Sequence, residues 1–367
     1  MKNSETPDPV PSLSPFWRDV QRVFVSLLSD LAPGVEPRHV RLACLLEALR
    51  VERFVAFRSG KGRKATTRAA LAHSFVAKAS LGSVDTKSFR RLLLCDEGLR
   101  AVCGFWHCVP SESTFCRAFG LFAREGLGDL ALDWIAKETF GDSVVMHVSR
   151  DSTAVLGRER PTRKANKLPK AKGKPGRKAG APPKPKVEKR QERQLREAPL
   201  DSVAELPKVC DIGTKRNSKG HDVHWIGFKF HVDVTDEGFP VSAATTSASV
   251  HDSQVAIPLM KLTAERIHTV RYQLMDAAYV GEPIRQAARE LNQVPIIAPK
   301  ASRTKPVYPL DPAQKKRYAN RTVVERFFSD LKDNRGGTKV RVRGQPKVHL
   351  HLMFGLLAVF GDKLITH

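Results

Sequence analysis

The amino-acid sequence predicts an α/β fold, a mixed sheet flanked by helices, which follows an all-helical N-terminal region. Two patterns along the chain predict this arrangement. Residues 16–140 repeat apolar side chains at spacings of three and four, which is typical of helices, and contain no alternating strand pattern. From Gly141 onward, short apolar or alternating runs indicate strands that are separated by helical segments. This order of segments is typical of a sheet covered by helices.

One segment of the helical region is expected to begin near Ser111, because the hydroxyl of Ser111 or Ser113 can cap the exposed amide groups of a first turn. This helix carries Arg117 and Arg124, so it is either an ordinary amphipathic helix or the recognition helix of a DNA-binding region. Its apolar face is formed by Phe115, Phe119 and Phe122. The other segments with helical spacing are Trp17–Leu31, Val40–Val55 and Leu130–Ile135.

The second half of the chain carries the strand patterns. Alternating residues on both sides of Asp236-Glu237-Gly238 predict a hairpin, and the remaining strands are short and apolar. A helical pattern over Glu282–Leu291 separates the last two strands. The predicted strands are Ser143–Ser149, Trp225–Val234, Phe239–Thr246, Val270–Met275 and Val294–Ala298.

A basic insertion, residues 158–208, separates the first strand from the hairpin. From Arg158 to Arg196 there are 16 Lys or Arg residues against 3 Glu, with almost no large apolar side chain. Such a segment cannot bury enough apolar surface to offset its chain entropy, so disorder is expected. The whole chain has a net charge of +24, which indicates a polyanionic partner such as nucleic acid. A flexible polycation binds phosphate backbone without sequence preference and with strong salt dependence.

A membrane partner receives little support from the sequence. The longest apolar run, Leu350 to Phe360, contains His351 and is much shorter than the roughly 20 residues that span a bilayer. We interpret it as a buried helix. The polar N-terminus, Met1 to Pro15, has no apolar core of a secretory signal, so a cytoplasmic location is expected.

The 6 cysteines are irregularly spaced and are expected to be thiols in a reducing compartment. Cys103, His107, Cys108 and Cys116 form the one cluster that could suggest zinc. Their spacing lacks the CxxC or HxxxH pairs of structural zinc sites. Buried thiols in a helical region are therefore the preferred interpretation.

The segment from Tyr318 to Lys332 is the most informative for chemistry. On a helix, Tyr318, Arg321, Glu325 and Lys332 share a stripe about 60° wide, and the apolar residues face the other way. Arg321 and Glu325 could also be a plain surface ion pair, because they are four positions apart.

Two aspartates follow predicted strands of the same sheet. Asp151 comes just after the first strand and Asp276 just after the fourth, so their carboxylates can converge near the helix that carries Glu325. Taken singly, each aspartate could be a helix cap or a turn residue. Together, the three carboxylates would form an all-oxygen cluster suited to Mg²⁺.

The spacing of Tyr318, Arg321, Glu325 and Lys332 resembles the Tyr-Arg-Glu-Lys signature of bacterial insertion-sequence transposases of the acidic-triad (DDE) type. These enzymes have a ribonuclease-H-like core. The resemblance covers residues 141–335 and, more loosely, the helical N-terminal region. Further similar segments are Cys210-Asp211, Asn217-Ser218-Lys219-Gly220, Trp225-Ile226-Gly227, His251-Asp252-Ser253 and Asp276 with Tyr279.

The resemblance implies that Asp151, Asp276 and Glu325 bind two Mg²⁺ ions, for which Mn²⁺ can substitute. It implies that Tyr318, Arg321 and Lys332 contact DNA near the cleaved end. Only 48 residues separate Asp276 from Glu325, which leaves no room for the large β-rich insertion of some relatives. The formation of a DNA hairpin, a property attributed to that insertion, is therefore an open question.

The expected protein is a DNA transposase that cleaves transposon ends and joins the freed 3′-OH to target DNA, in a bacterial cytoplasm in association with the nucleoid. Its partners are double-stranded DNA, meaning terminal inverted repeats and target, and a second copy of the chain on DNA. The alternatives are a nuclease of the same fold without strand transfer and a catalytically silent DNA-binding protein. The expected regions are 1–15 as a disordered tail, 16–140 as a DNA-binding region, 141–157 with 209–345 as the catalytic domain, 158–208 as the insertion, and 346–367 as a C-terminal helix.

Overall fold

The computed structural model describes residues 36–55, 68–105, 108–161, 188–216, 219–299 and 309–366. The predicted tail 1–15, the predicted helix Trp17–Leu31 and residues 162–187 of the basic insertion lie outside the described residues.

The N-terminal region is helical, as the spacing of its apolar residues predicts. Phe75 lies at its centre and makes edge contacts with Phe115 and Phe119, at ring-centroid distances of 5.9 and 5.0 Å. Because Phe115, Phe119 and Phe122 are buried, the amphipathic helix after Ser111 is confirmed. The helices are α1 (Pro37–Leu49), α2 (Arg68–Ser80), α3 (Thr86–Cys95), α4 (Glu97–Val102), α5 (Glu112–Glu125) and α6 (Leu127–Phe140), with a 3-10 turn at Val51–Phe54.

A mixed sheet of 6 strands follows within the described ranges. The strands are β1 (Val144–Leu156), β2 (Asp211–Arg216), β3 (Asp222–Thr235), β4 (Pro240–Ser247), β5 (Thr269–Met275) and β6 (Val294–Ile297). Their order in the sheet is β2-β3-β1-β5-β6, and β4 pairs with β3. The central strand β1 runs antiparallel to β3 and parallel to β5, and β6 is parallel to β5. The predicted hairpin is confirmed as β3 and β4.

Helices cover this sheet and complete the α/β architecture. Short 3-10 turns, Asp252–Gln254, Ala277–Tyr279 and Ala319–Arg321, lie between regular elements. The helices that follow β1 are α7 (Arg190–Gln194), α8 (Pro199–Ala204), α9 (Ala256–Arg266), α10 (Glu282–Glu290), α11 (Pro312–Tyr318), α12 (Thr322–Asp333) and α13 (Gln345–Thr366).

The C-terminal helix α13 connects the two parts of the chain. It is long and apolar enough to cross a membrane, yet 78% of its most apolar stretch is buried inside the protein. Phe354 of α13 stacks on Phe75, and Phe360 contacts Phe239 beside β4. The N-terminal helices and part of the sheet therefore share one core, and the run Leu350 to Phe360 is the buried helix that the sequence predicts.

Three boundaries differ from the sequence prediction. Strand β1 continues to Leu156, not Ser149, because it pairs with β3 beyond the end of β5. The helix expected from Tyr318 to Lys332 is divided by the 3-10 turn at Ala319–Arg321. The end of the insertion is ordered, since α7 and α8 pack on α9 and the side chain of Gln194 is buried.

Candidate active site

Asp151 lies inside β1 and not just after it. It pairs with Val232 of β3, but the pairing of β1 with β5 ends at Ser149, so Asp151 has a strand on one side only. Successive residues of a strand point to opposite faces of the sheet. Arg150 therefore points to the face opposite Asp151, where it is fully buried against Asp233. The Asp151 side chain, at 22% exposure, remains accessible.

Asp276 is the first residue after β5. Its Oδ1 accepts a 2.9 Å hydrogen bond from the Ala278 N–H and caps the 3-10 turn Ala277–Tyr279. Because β1 and β5 are parallel, Asp276 leaves the sheet at the edge to which β1 carries Asp151. The expectation that these two aspartates lie at neighbouring positions of the sheet agrees with this topology.

Helix α12 and the preceding 3-10 turn bring Arg321 and Glu325 to the same edge. Val324 and Leu331 of α12 are fully buried, which turns the polar stripe of the helix toward the sheet edge. Arg321 Nη2 lies 2.7 Å from Asp151 Oδ2, and Arg321 Nη1 lies 3.1 Å from Glu325 Oε1. The guanidinium thus joins a strand carboxylate to a helix carboxylate.

The charges of this group of residues influence one another. Burial raises the pKa of Asp151 to about 6, and the charges of Asp276 and Asp252 add to the rise while Arg321 opposes it. Burial also raises the pKa of Tyr318, with contributions from Asp276, Asp151 and Glu325. Tyr318 is therefore within electrostatic range of all three predicted carboxylates, and Asp151 is within range of Asp276.

Arg321 is the counterion of this cluster. Burial disfavours its charged form, but the negative charges of Asp151, Asp276 and Glu325 outweigh burial and raise the pKa of the guanidinium. Arg321 and Asp151 are only 14% and 22% exposed, so solvent screens their attraction weakly, whereas Glu325 is 59% exposed and its attraction to Arg321 is screened more strongly.

The donor set of this cluster fits a hard divalent cation, because it consists of carboxylate oxygens. Nevertheless, no group of three or more His, Cys, Asp or Glu side chains is arranged as a metal site in the described ranges. The contacts of Arg321 supply a physical reason, since its guanidinium lies between Asp151 and Glu325. A cation shared by Asp151 and Glu325 would compete with this side chain for their oxygens.

Lys332 shares the helix with Glu325 but not the acidic cluster. It follows Glu325 by seven positions, which is about 10 Å along the helix axis. Burial and the charge of Lys215 lower the pKa of Lys332, while Asp333 opposes them. Lys332 therefore belongs to a separate basic neighbourhood next to β2.

Asp252 is a neighbour of the site to which the sequence assigns no role. Its Oδ1 accepts hydrogen bonds from Ser152 Oγ at 2.9 Å and from Lys229 Nζ at 3.0 Å. Burial would raise the pKa of Asp252, but His231, Lys229 and Ser152 together lower it. The signal available in the sequence was the tripeptide His251-Asp252-Ser253, which is too short to be specific.

Residues 202–360 match a family model described as Transposase DDE domain. The match supports a transposase of the DDE type. The matched residues contain Asp276 and Glu325 but not Asp151, which lies upstream of them. The mixed sheet with flanking helices is consistent with the ribonuclease-H-like fold of such transposases. Searches of curated proteins and of solved structures gave no match.

Transposases of this family bind DNA and generally use divalent metal ions. The carboxylates of the acidic cluster are the ligands that such an ion prefers.

Proposed function

We propose that the chain is a DNA transposase in which Asp151, Asp276 and Glu325 are the metal ligands and Tyr318, Arg321 and Lys332 contact DNA. The observation that carries the proposal is the contact of Arg321 with both Asp151 and Glu325, because it joins residues that are 170 positions apart in the chain. If Arg321 and Glu325 formed only a surface ion pair on one helix, Arg321 would need no contact with an aspartate of the sheet.

The proposed cofactor is a pair of Mg²⁺ ions, with Mn²⁺ as an expected substitute. When bound, such a pair lowers the pKa of the attacking hydroxyl and stabilises the charge on the leaving oxygen. The three carboxylates hold the ions and offset their positive charge. Arg321, released from Asp151, becomes available for a DNA phosphate, for which a guanidinium is well suited.

The proposed reaction has two steps. In the first, the oxygen of water attacks the phosphorus at the end of the element, the P–O3′ bond breaks, and the 3′ oxygen leaves with a proton as a 3′-OH. In the second, that 3′-OH attacks a phosphodiester of target DNA, and the displaced target 3′ oxygen takes the proton. One phosphodiester bond forms for each one that breaks in the second step, so no further energy source is needed.

The test compares the parent protein with Glu325→Gln on a plasmid that carries the element's own ends, in the presence of Mg²⁺. Loss of a metal ligand is expected to reduce nicking by more than about 100-fold. Glu265→Gln is a matched control. It removes the same charge, and Glu265 is exposed on α9. Equal nicking by the parent and Glu325→Gln would refute the site assignment.

A second arm of the same experiment follows the freed 3′-OH into target DNA. Joined products support transposition, whereas nicking without joining supports the nuclease alternative. Sequence-specific DNA binding without nicking supports the silent DNA-binding alternative. Sizing of the protein with and without end DNA tests the proposed homodimer. The recognition role of Arg117 and Arg124, both exposed on α5, stays a prediction.

A further inference from the structure

Three exposed cations follow the proposed catalytic helix. Lys339, Arg341 and Arg343 are exposed, while Val340 between them is buried and Val342 packs against the core. Within the part of the chain that the structure describes, none of the three cations forms an ion pair at 4.0 Å or less. We call Lys339–Arg343 the C-terminal basic segment.

The fold holds the C-terminal basic segment at both ends. Before it, Thr338 Oγ1 donates a 2.9 Å hydrogen bond to the carbonyl of Lys332. After it, the Gly344 N–H donates a 2.6 Å hydrogen bond to Glu159 Oε1. Because the backbone is fixed in this way and the valines point inward, the three cations are presented together to solvent.

The surroundings of the segment add positive charge. The sequence from Asn334 to Gly361 contains no Asp or Glu. Lys332 and Lys215 lie near each other, since the charge of Lys215 contributes to the lowered pKa of Lys332. Three carboxylates lie nearby: Glu159 at Gly344, Asp333 beside Lys332, and Asp85, whose pKa Arg341 helps to lower without an ion pair at 4.0 Å or less. The three cations of the segment, with Lys215 and Lys332, outnumber these carboxylates, so the surface has a net positive charge, which attracts polyanions.

The position of the segment suggests which polyanion binds. Helix α12 leads from Glu325 to Lys332 over about 10 Å, and the C-terminal basic segment begins seven residues later. A DNA duplex whose end lies at Asp151 and Glu325, and which runs along α12, would pass Lys332 and reach this segment. Lys and Arg side chains contact backbone phosphates without reading the sequence.

We propose that the C-terminal basic segment, with Lys215 and Lys332, binds the phosphodiester backbone of duplex DNA adjacent to the end at which cleavage occurs. This inference rests on the proposed function and adds a binding surface to it. The ligand is duplex DNA of any sequence, held by charge. The contribution of this surface to the affinity for duplex DNA should therefore depend on the salt concentration and not on the DNA sequence.

The test measures the dissociation constant of a blunt DNA duplex of unrelated sequence at several salt concentrations, in EDTA so that no strand is cut. The triple variant Lys339→Ala, Arg341→Ala, Arg343→Ala is expected to bind at least about tenfold more weakly than the parent at low salt. The slope of log affinity against log salt is expected to fall by about 2 to 3, because each lost phosphate contact removes about 0.9.

Two controls accompany the triple variant. The variant Lys339→Arg, Arg341→Lys, Arg343→Lys keeps the charge and is expected to keep the parent's slope. A second triple variant, Arg271→Ala, Arg285→Ala, Arg289→Ala, removes the same charge from β5 and α10, outside the C-terminal basic segment. Its slope is expected to change by less than about 1. Thermal unfolding of each variant establishes that the fold is retained.

The outcomes separate this inference from the proposed function. A parent protein that binds and nicks DNA, with an unchanged slope in the Lys339, Arg341, Arg343 alanine variant, overturns the binding surface alone. Equal slope losses in both alanine variants also overturn it, because they indicate an effect of net charge. A parent protein that binds no duplex at any salt concentration overturns the proposed function itself.

Discussion

Arg321 Nη2 donates a 2.7 Å hydrogen bond to Asp151 Oδ2 and thereby joins the 3-10 turn before α12 to the central strand. The same guanidinium contacts Glu325 through Nη1. A guanidinium and a divalent cation are attracted to the same carboxylate oxygens, so each displaces the other. In this structure Arg321 contacts both Asp151 and Glu325, so the cation proposed above would compete with Arg321 for these oxygens.

Removal of Arg321 should therefore strengthen binding of Mg²⁺ in the absence of DNA. Arg321→Ala is expected to gain about tenfold in affinity, which appears as up to about 1.4 kcal/mol of additional stabilisation at saturating Mg²⁺. The measurement is thermal unfolding with and without Mg²⁺. The double variant Arg321→Ala, Glu325→Gln should lose the gain. Equal Mg²⁺-dependent shifts in Arg321→Ala and the parent would contradict competition for one site.

Replacement of Asp151 should stabilise the fold at alkaline pH in the absence of metal. Its pKa of about 6 lies above the ordinary 3.8, so the folded protein holds this proton more tightly than the unfolded chain does. The stability contributed by the proton is complete below about pH 4 and is lost as pH rises through 6. Asp151→Asn is therefore expected to gain about 1 to 3 kcal/mol at pH 8 and nothing at pH 4.

Urea unfolding at pH 4, 6 and 8 in EDTA measures this difference between variant and parent. Asp142→Asn is a matched control, because Asp142 is exposed just before β1. It should leave the pH dependence of the parent unchanged. A constant difference between Asp151→Asn and the parent at all three pH values would show that burial of the Asp151 charge is not the cause.

Much of the fold follows from local apolar patterns. The amphipathic helix α5, the hairpin of β3 and β4, and the buried helix α13 were predicted, because the spacing of their apolar residues reflects the face that each buries. Strand β2 was not predicted. Its residues are mostly exposed, as in Ile212 and Lys215, and its strand conformation depends on pairing with β3 rather than on its own pattern.

The sequence indicated the residues of the candidate site but not the contacts between them. Strand ends and a polar helix stripe indicated Asp151, Asp276 and Glu325, because those positions are local properties of the sequence. The spacing of Arg321 and Glu325 suggested only a pair within one helix. The bond from Arg321 to Asp151 depends on how α12 packs on the sheet, which no local pattern specifies. The position of Asp151 inside β1 likewise depends on β3.

The buried ion pair on the opposite face of the sheet should be essential for stability. Arg150 and Asp233 are both fully buried, and Arg150 Nε donates to Asp233 Oδ1 at 2.7 Å. Asp233→Asn leaves the Arg150 charge without a partner and is expected to cost about 3 to 5 kcal/mol of the free energy of unfolding. Thr263→Val leaves the Arg150–Asp233 pair in place and removes the Thr263 hydroxyl, which lies 2.7 Å from Asp233 Oδ2 and 2.9 Å from Ser242 Oγ, and it should cost about 1.5 to 3 kcal/mol.

Chemical unfolding also tests whether the stability lost in Asp233→Asn comes from the missing ion pair or from the unpaired charge of Arg150. The double variant Arg150→Met, Asp233→Leu replaces both charges by apolar groups and should recover most of the stability lost in Asp233→Asn. A double variant as unstable as Asp233→Asn would indicate that packing, not an unpaired charge, dominates this position.

His231 should make the protein sensitive to acid. Burial lowers its pKa from 6.5 to about 4, with further lowering by Lys229 and Arg150, and Asp252 opposes the shift. The unfolded chain takes up a proton below pH 6.5, whereas the folded protein does so only near pH 4. Stability is therefore lost as pH falls through this window, by up to about 3 kcal/mol.

His231→Gln cannot take up this proton, and its amide can still donate to Thr246 Oγ1 in place of the imidazole Nε2, which lies 2.9 Å away. The difference in unfolding free energy between variant and parent should thus shift in favour of the variant as pH falls from 7 to 4. His268→Gln, at an exposed position before β5, is the control and should follow the parent. Parallel pH profiles for His231→Gln and the parent would mean that His231 is protonated in the folded protein, with Asp252 at 3.8 Å outweighing the cost of burial.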